Sequence, residues 1–220
     1  MTDLSNRRPV RSRGSAWASA LASALARNRV SPDLVSAMSV AFALVGFAAF
    51  ALSGLSEGAA RIVWLGLALI AIQLRLICNV LDGLVAVEHG KGGPAGPIWN
   101  ELPDRISDAL FLIGAGYGVV AAAPHLGPAL GWLCAALAIL TAYVRELGRG
   151  LGFPADFSGP LAKPQRMGAL TGLTVLSMLE GWWGWHGETL VWGLAGIAAL
   201  TALTAANRTR GLARALRERG

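Results

Sequence analysis

The chain has 220 residues, of which 54% are hydrophobic and only 15% charged. Soluble domains carry roughly 25% charge and lack apolar runs of ~20 residues, so these values exclude an ordinary soluble domain and point to an integral membrane protein. The formal net charge of +6 is gathered at the two ends and in alternate connections, a pattern of membrane orientation with no nucleic-acid partner implied.

Residues 1–14 are polar and basic, with Arg7, Arg8, Arg11 and Arg13, and are expected to be disordered. The first 30 residues hold arginines without a compact apolar core, so no cleavable signal peptide is expected. In residues 15–30, Trp17, Leu21 and Leu25 recur at spacings of four among alanines, and Arg27 and Arg29 close the segment. This pattern fits an amphipathic helix lying on the membrane surface and equally an ordinary packed helix. Ser31-Pro32 reads as a helix start, with serine as cap and proline in the first turn.

Six membrane spans are predicted, at about 33–55, 60–86, 100–123, 128–150, 167–184 and 188–206. Pro103 would then fall in the first turn of the third span, where it is tolerated. A basic tail at 208–220 follows, with Arg208, Arg210, Arg214, Arg217 and Arg219. Residues 31–207 thus form one all-α membrane domain. Cys78 and Cys134 lie inside apolar runs and read as buried small hydrophobes, not as a disulfide. The connections after the second and fourth spans carry Lys91, Arg105, Arg145, Arg149, Lys163 and Arg166, and those after the first, third and fifth carry only Arg61. Positive residues favour the cytoplasmic side, so both termini and the connection near residue 90 are expected there. Trp182, Trp183 and Trp185 suit an aromatic belt on the opposite side.

Most of the polar side chains that such a protein would not carry without a reason lie in residues 79–108. Asn79 and Asp82 share one face of a helix end, and Asn100, Asp104 and Asp108 share one face of the next helix. Gly83, Gly90, Gly92, Gly93 and Gly96 lie between them, where the backbone turns or where a ligand approaches closely. Arg75 lies one turn before Asn79; it either pairs with a motif acid or snorkels, and the sequence does not choose. A second basic stretch, 141–168, holds Arg145, Arg149, Lys163 and Arg166; it reads either as phosphate contacts or as positive-inside bias alone. His89, His125 and His186 are isolated and form no metal set, and no serine-hydrolase or P-loop pattern is present.

The 26 residues from Asn79 to Asp104 resemble the signature of the CDP-alcohol phosphotransferases, D-x2-D-G-x2-A-R-x8-G-x3-D-x3-D. Asp82, Gly83, Ala86, Gly96 and Asp104 match it, and Asn79, Val87 and Asn100 depart from it. The resemblance implies a six-helix membrane fold with an N-terminal juxtamembrane helix, in a homodimer. It implies transfer of a phosphatidyl or related group from a CDP-alcohol, such as CDP-diacylglycerol, to an acceptor alcohol, with release of CMP. It also implies Mg²⁺ or Mn²⁺, held by Asn79, Asp82, Asn100 and Asp104. Asp104 takes the family's position of the general base; Asp108 is the rival for that role and otherwise a metal ligand or electrostatic support. Gly83, Ala86 and Gly96 are expected against the nucleotide, and Arg145 and Lys163 against phosphate; for Gly83 and Ala86, helix packing is the alternative. The active site would face the cytoplasm of a bacterial inner membrane, where membrane lipids are also partners. Two other functions stay open. One is a family member that binds lipid or assists assembly without catalysis, because two motif acids are asparagine. The other is a membrane prenyltransferase.

Overall fold

The computed structural model describes residues 16–28, 30–88 and 96–219, without the side chains of residues 86–88, 97 and 100. The basic terminus at 1–14 and the connection holding His89 and Lys91 lie outside the described residues. The described residues form α1 (Ala16–Arg27), α2 (Pro32–Ser53), α3 (Gly58–Glu88), α4 (Gly96–Tyr117), α5 (Leu126–Gly150), α6 (Lys163–Leu179) and α7 (Glu188–Arg219), with a 3-10 turn at Glu180–Trp183. The six predicted spans appear in order as α2 to α7. Four of these, α2, α3, α5 and α7, are long and apolar enough to cross a membrane. The other two fall short for different reasons: α4 carries Glu101, Asp104, Arg105 and Asp108, and α6 has only 17 residues.

The start of α2 is as read from the sequence. Ser31 is extended, its Oγ accepts from the Leu34 N–H at 3.2 Å, and Pro32 opens the helix. Several boundaries differ from expectation: α4 ends at Tyr117 and not near 123, and α6 covers Lys163–Leu179 and not 167–184. Helix α4 begins at Gly96, so Pro103 lies in its interior, where its ring removes the bond to the carbonyl of residue 99. Helix α7 runs through the basic tail to Arg219, because Leu212, Ala213, Ala215 and Leu216 are good helix formers that outweigh Gly211, and no proline intervenes.

Helix α2 packs on both α3 and α4, α5 bridges α4 and α7, and α6 lies against α3 and α7. Phe50, Leu65, Ile72, Phe111, Leu112, Leu170, Leu190 and Leu194 are buried between them. Close approach of α4 and α5 depends on small residues. A Cβ at Gly116 would lie 2.6 Å from the Gly127 carbonyl oxygen and 2.8 Å from the Gly131 Cα, so no larger side chain fits without parting the helices. Large apolar residues such as Leu44, Val63, Ile70, Trp132, Ile139 and Trp192 are exposed on the outside, as a bilayer-facing surface requires. Trp182, Trp183 and Trp185 are exposed together beyond α6. In helix α1, Ala18 and Ala22 are buried in a cluster with Leu81, Leu84 and Val85 of α3, and Trp17 and Leu21 are exposed.

The end of the bundle at the α3 N-terminus is closed by an ion pair. Arg61 donates from Nη1 to the carbonyls of Ser53 (3.0 Å) and Gly118 (2.9 Å), and from Nη2 to Glu180 Oε1 (3.0 Å) and Ser177 Oγ (3.2 Å). Glu180 Oε2 accepts from the Thr189 N–H at 3.3 Å. One guanidinium thus joins the C-terminal ends of α2, α4 and α6. Glu180→Gln is expected to cost about 1–3 kcal/mol by leaving Arg61 without its counter-charge. A thermal unfolding midpoint in detergent equal to that of the parent chain would refute this.

A buried ion-pair cluster as candidate active site

The other end of the bundle holds the motif. Along α3, Arg75, Asn79 and Asp82 follow at spacings of four and three, so helical periodicity puts them on one face. On α4, Asp104 and Asp108 are one turn apart and face α3; on α6, Lys163 and Arg166 share the first turn. Helix packing brings these three short faces together into one cluster.

Asp104 is at its centre. Its Oδ1 accepts from Asn79 Nδ2 at 2.7 Å and Arg75 Nη2 at 3.1 Å, and its Oδ2 accepts from Lys163 Nζ. Asp108 lies deeper. Its Oδ1 accepts from Arg75 Nη2 at 2.7 Å, and its Oδ2 is 3.4 Å from Arg166 Nη2. Asp82 is held apart from this pair: Ser36 Oγ of α2 donates to its Oδ2 at 2.9 Å, and the Gly83 N–H donates to its Oδ1 at 2.6 Å. Asp104 keeps 8% of its surface exposed and Asp108 1%, whereas Arg75 has none and Arg166 has 1%. The two guanidinium groups therefore lie behind Asp104, and Lys163 stands with it at the mouth.

Among the predicted site residues, Asn79, Asp104, Asp108 and Lys163 meet. Gly83 is buried in α3, and Gly96 opens α4 with free space where a Cβ would stand. Arg145 is on a neighbouring network: it donates to Glu101 Oε2 and, at 2.8 Å, to Glu146 Oε1, and its guanidinium lies 5.5 Å from the Phe157 ring centre. The side chains of Ala86 and Asn100 lie outside the described residues. Asp108, expected as base, ligand or support, stands as the counter-ion of two guanidinium groups. The choice left open for Arg75 resolves to pairing. Arg166 and Ser36 were not singled out as partners of the motif. The signal for Arg166 was its spacing of three from Lys163, which places both on one helix face.

Asn79, Asp104 and Asp108 do not fit the Mg²⁺ or Mn²⁺ that the resemblance implies. Divalent cations of this kind take oxygen ligands, usually from carboxylates. Both oxygens of Asp104 and both of Asp108 already face nitrogen donors, and Asn79 turns its donor Nδ2 toward Asp104. Among the described residues no three acidic, histidine or cysteine side chains are grouped to hold a metal ion.

No family model matches the chain. Its fold is that of phosphatidylinositol phosphate synthase from Mycobacterium tuberculosis. The structure of that enzyme with CDP-DAG bound superposes with a TM-score of 0.74 over 90% of this chain and 94% of that one, at 18% identity. Its structure in complex with manganese and citrate gives 0.72 over 89% and 88%, at 19% identity. In sequence, the chain is 32% identical over 135 residues to a bifunctional IPC transferase and DIPP synthase from Rubrobacter xylanophilus. That match covers 59% of this chain, and the chain spans 27% of the length of that relative.

Proposed function

We infer that this chain belongs to the CDP-alcohol phosphotransferases and moves a phosphatidyl or related phospho-alcohol group from a CDP-alcohol to an acceptor hydroxyl. The acceptor oxygen attacks the phosphorus that carries the donor alcohol. The bond from that phosphorus to the CMP oxygen breaks, CMP leaves with the electron pair, and Asp104 takes the hydroxyl proton. The observation that carries this reading is the position of Asp104. It is the one carboxylate of the Asp104–Asp108 pair at the mouth of the cluster, held by the ammonium group of Lys163. A diphosphate arriving there competes for Lys163 and frees the Asp104 oxygen to accept a proton. Small residues at Gly83, Ala86 and Gly96 suit close approach of the nucleotide, and Arg145 lies beside the site as a phosphate contact. CDP-diacylglycerol is the donor we favour, because the similar synthase has been solved with CDP-DAG. The protein works in the membrane as a homodimer, with both termini and the site at the cytoplasmic face.

A second reading is a lipid-binding or assembly partner without catalysis. It is favoured by the engagement of Asp82, Asp104 and Asp108 with protein donors. Release of CMP from CDP-diacylglycerol by the purified chain, in the presence of candidate acceptor alcohols, decides between them. Release that Asp82→Ala suppresses supports transfer; no release with any acceptor sinks it.

A further inference from the structure

Resting on the reading above, we propose that Arg75, Lys163 and Arg166 bind the diphosphate of the donor directly, so that this site takes its substrate without a divalent metal ion. Charge is the first argument. Asp104 and Asp108 bring two negative charges, and Arg75, Lys163 and Arg166, which are ion-paired with them, bring three positive ones; Asp82 stands apart on the neutral donors Ser36 and Gly83. Arg105, 3.2 Å from Glu101 and 3.8 Å from Asp104, stands near the cluster's rim as half of a further ion pair. A carboxylate site attracts a divalent cation through its uncompensated negative charge, and at the Asp104–Asp108 pair none remains. Asparagine at 79 and 100 in place of two motif acids shifts the site in the same direction, away from cations and toward an anion.

Unused donors are the second argument. Among the described residues, Nε and Nη1 of Arg75 and Nε and Nη1 of Arg166 are buried and have no acceptor. A buried donor left unpaired costs about 1–3 kcal/mol, so these four N–H-bearing atoms call for an acceptor-only group. Phosphoryl oxygens are such a group, and guanidinium binds them in a planar, two-point fashion. Access is the third argument. The Lys163 side chain is 19% exposed and that of Asp104 is 11% exposed, so an incoming phosphate meets the ammonium first and finds the guanidinium groups behind it. It exchanges with the carboxylates for these cations instead of recruiting new ones.

The test uses the full chain in detergent micelles with CDP as probe, titrated calorimetrically in EDTA and again in excess Mn²⁺, with electron paramagnetic resonance reading bound Mn²⁺. CDP affinity in EDTA should stay within about threefold of that in Mn²⁺, and no tightly held Mn²⁺ signal should appear. Lys163→Met, at the partly exposed mouth, should weaken CDP binding about tenfold or more in EDTA, and Arg166→Lys, which keeps the charge and loses the two-point geometry, should weaken it less. Asp104→Asn releases Lys163 and should bind CDP at least as tightly as the parent chain; at a metal-held site it would lose Mn²⁺ and CDP together. Loss of CDP binding in EDTA with a bound Mn²⁺ signal overturns the proposal, as does no CDP binding in either buffer. CDP binding in EDTA without CMP release under any condition supports it and sinks the catalytic reading alone.

Discussion

Arg75→Met is expected to be the most destabilising single change in the polar cluster, at about 3–5 kcal/mol, because it breaks a buried ion pair and leaves charge behind. Arg75 is fully buried in α3, and its Nη2 alone serves Asp104 Oδ1, Asp108 Oδ1 and, at 3.3 Å, the Asp104 carbonyl. Without it, Asp108 keeps only Arg166, at 3.4 Å. The residues joined lie 29 and 33 positions apart, so the loss also loosens α3 against α4. The measurement is thermal or denaturant unfolding in detergent. The double variant Arg75→Met/Asp108→Asn removes one buried charge of each sign and should recover more than half of the loss. If the double variant is as unstable as the two single losses added together, the pair is not coupled and Arg75 acts through packing alone.

Asp104→Asn is expected to reduce CMP release by about 10²–10⁴-fold, the usual range for a general base, with CDP binding kept. Asp108→Asn should instead lower stability and leave most of the turnover. Depth separates the two residues. One helical turn, ~1.5 Å per residue, puts Asp108 about 6 Å further into the bundle. The structure adds exposure to that argument: 8% for Asp104 against 1% for Asp108, and two guanidinium partners for the deeper acid. An acceptor hydroxyl reaches the first and not the second. The opposite pattern, with turnover lost in Asp108→Asn and kept in Asp104→Asn, would move the base one turn deeper and shift the motif register with it.

Much of the architecture is legible in local patterns. The apolar runs place α2, α3, α5 and the start of α7 to within a few residues, because membrane helices need long hydrophobic stretches whatever their neighbours are. Ser31 and Pro32 mark a start that the backbone obeys, because capping is a contact within one turn. Periodicity alone puts Arg75, Asn79 and Asp82 on one face of α3, and Asp104 and Asp108 on one face of α4. The errors have a common source. Hydropathy reports where a chain leaves the apolar layer, whereas propensity and breakers decide where a helix ends, so α7 outruns its predicted span and α4 begins ahead of Asn100.

What only the tertiary structure decided is which charges meet. From the sequence, Arg75 had two equal fates, because a long side chain one turn before the motif reaches either an acid or the interface. The packing of α3 on α4 and α6 selects the acid. Lys163 and Arg166, 59 and 58 residues from their partners, read either as phosphate contacts or as positive-inside residues until the fold brings them to the acids of α4. Arg61 and Glu180 are 119 residues apart and gave no sign of each other at all. The pattern of a helix determines which side chains share a face, because that is geometry within a few turns. The partner across the interface depends on which helices pack, at what depth and in which order. In this protein that placement pairs the two acids of α4 with three cations from α3 and α6.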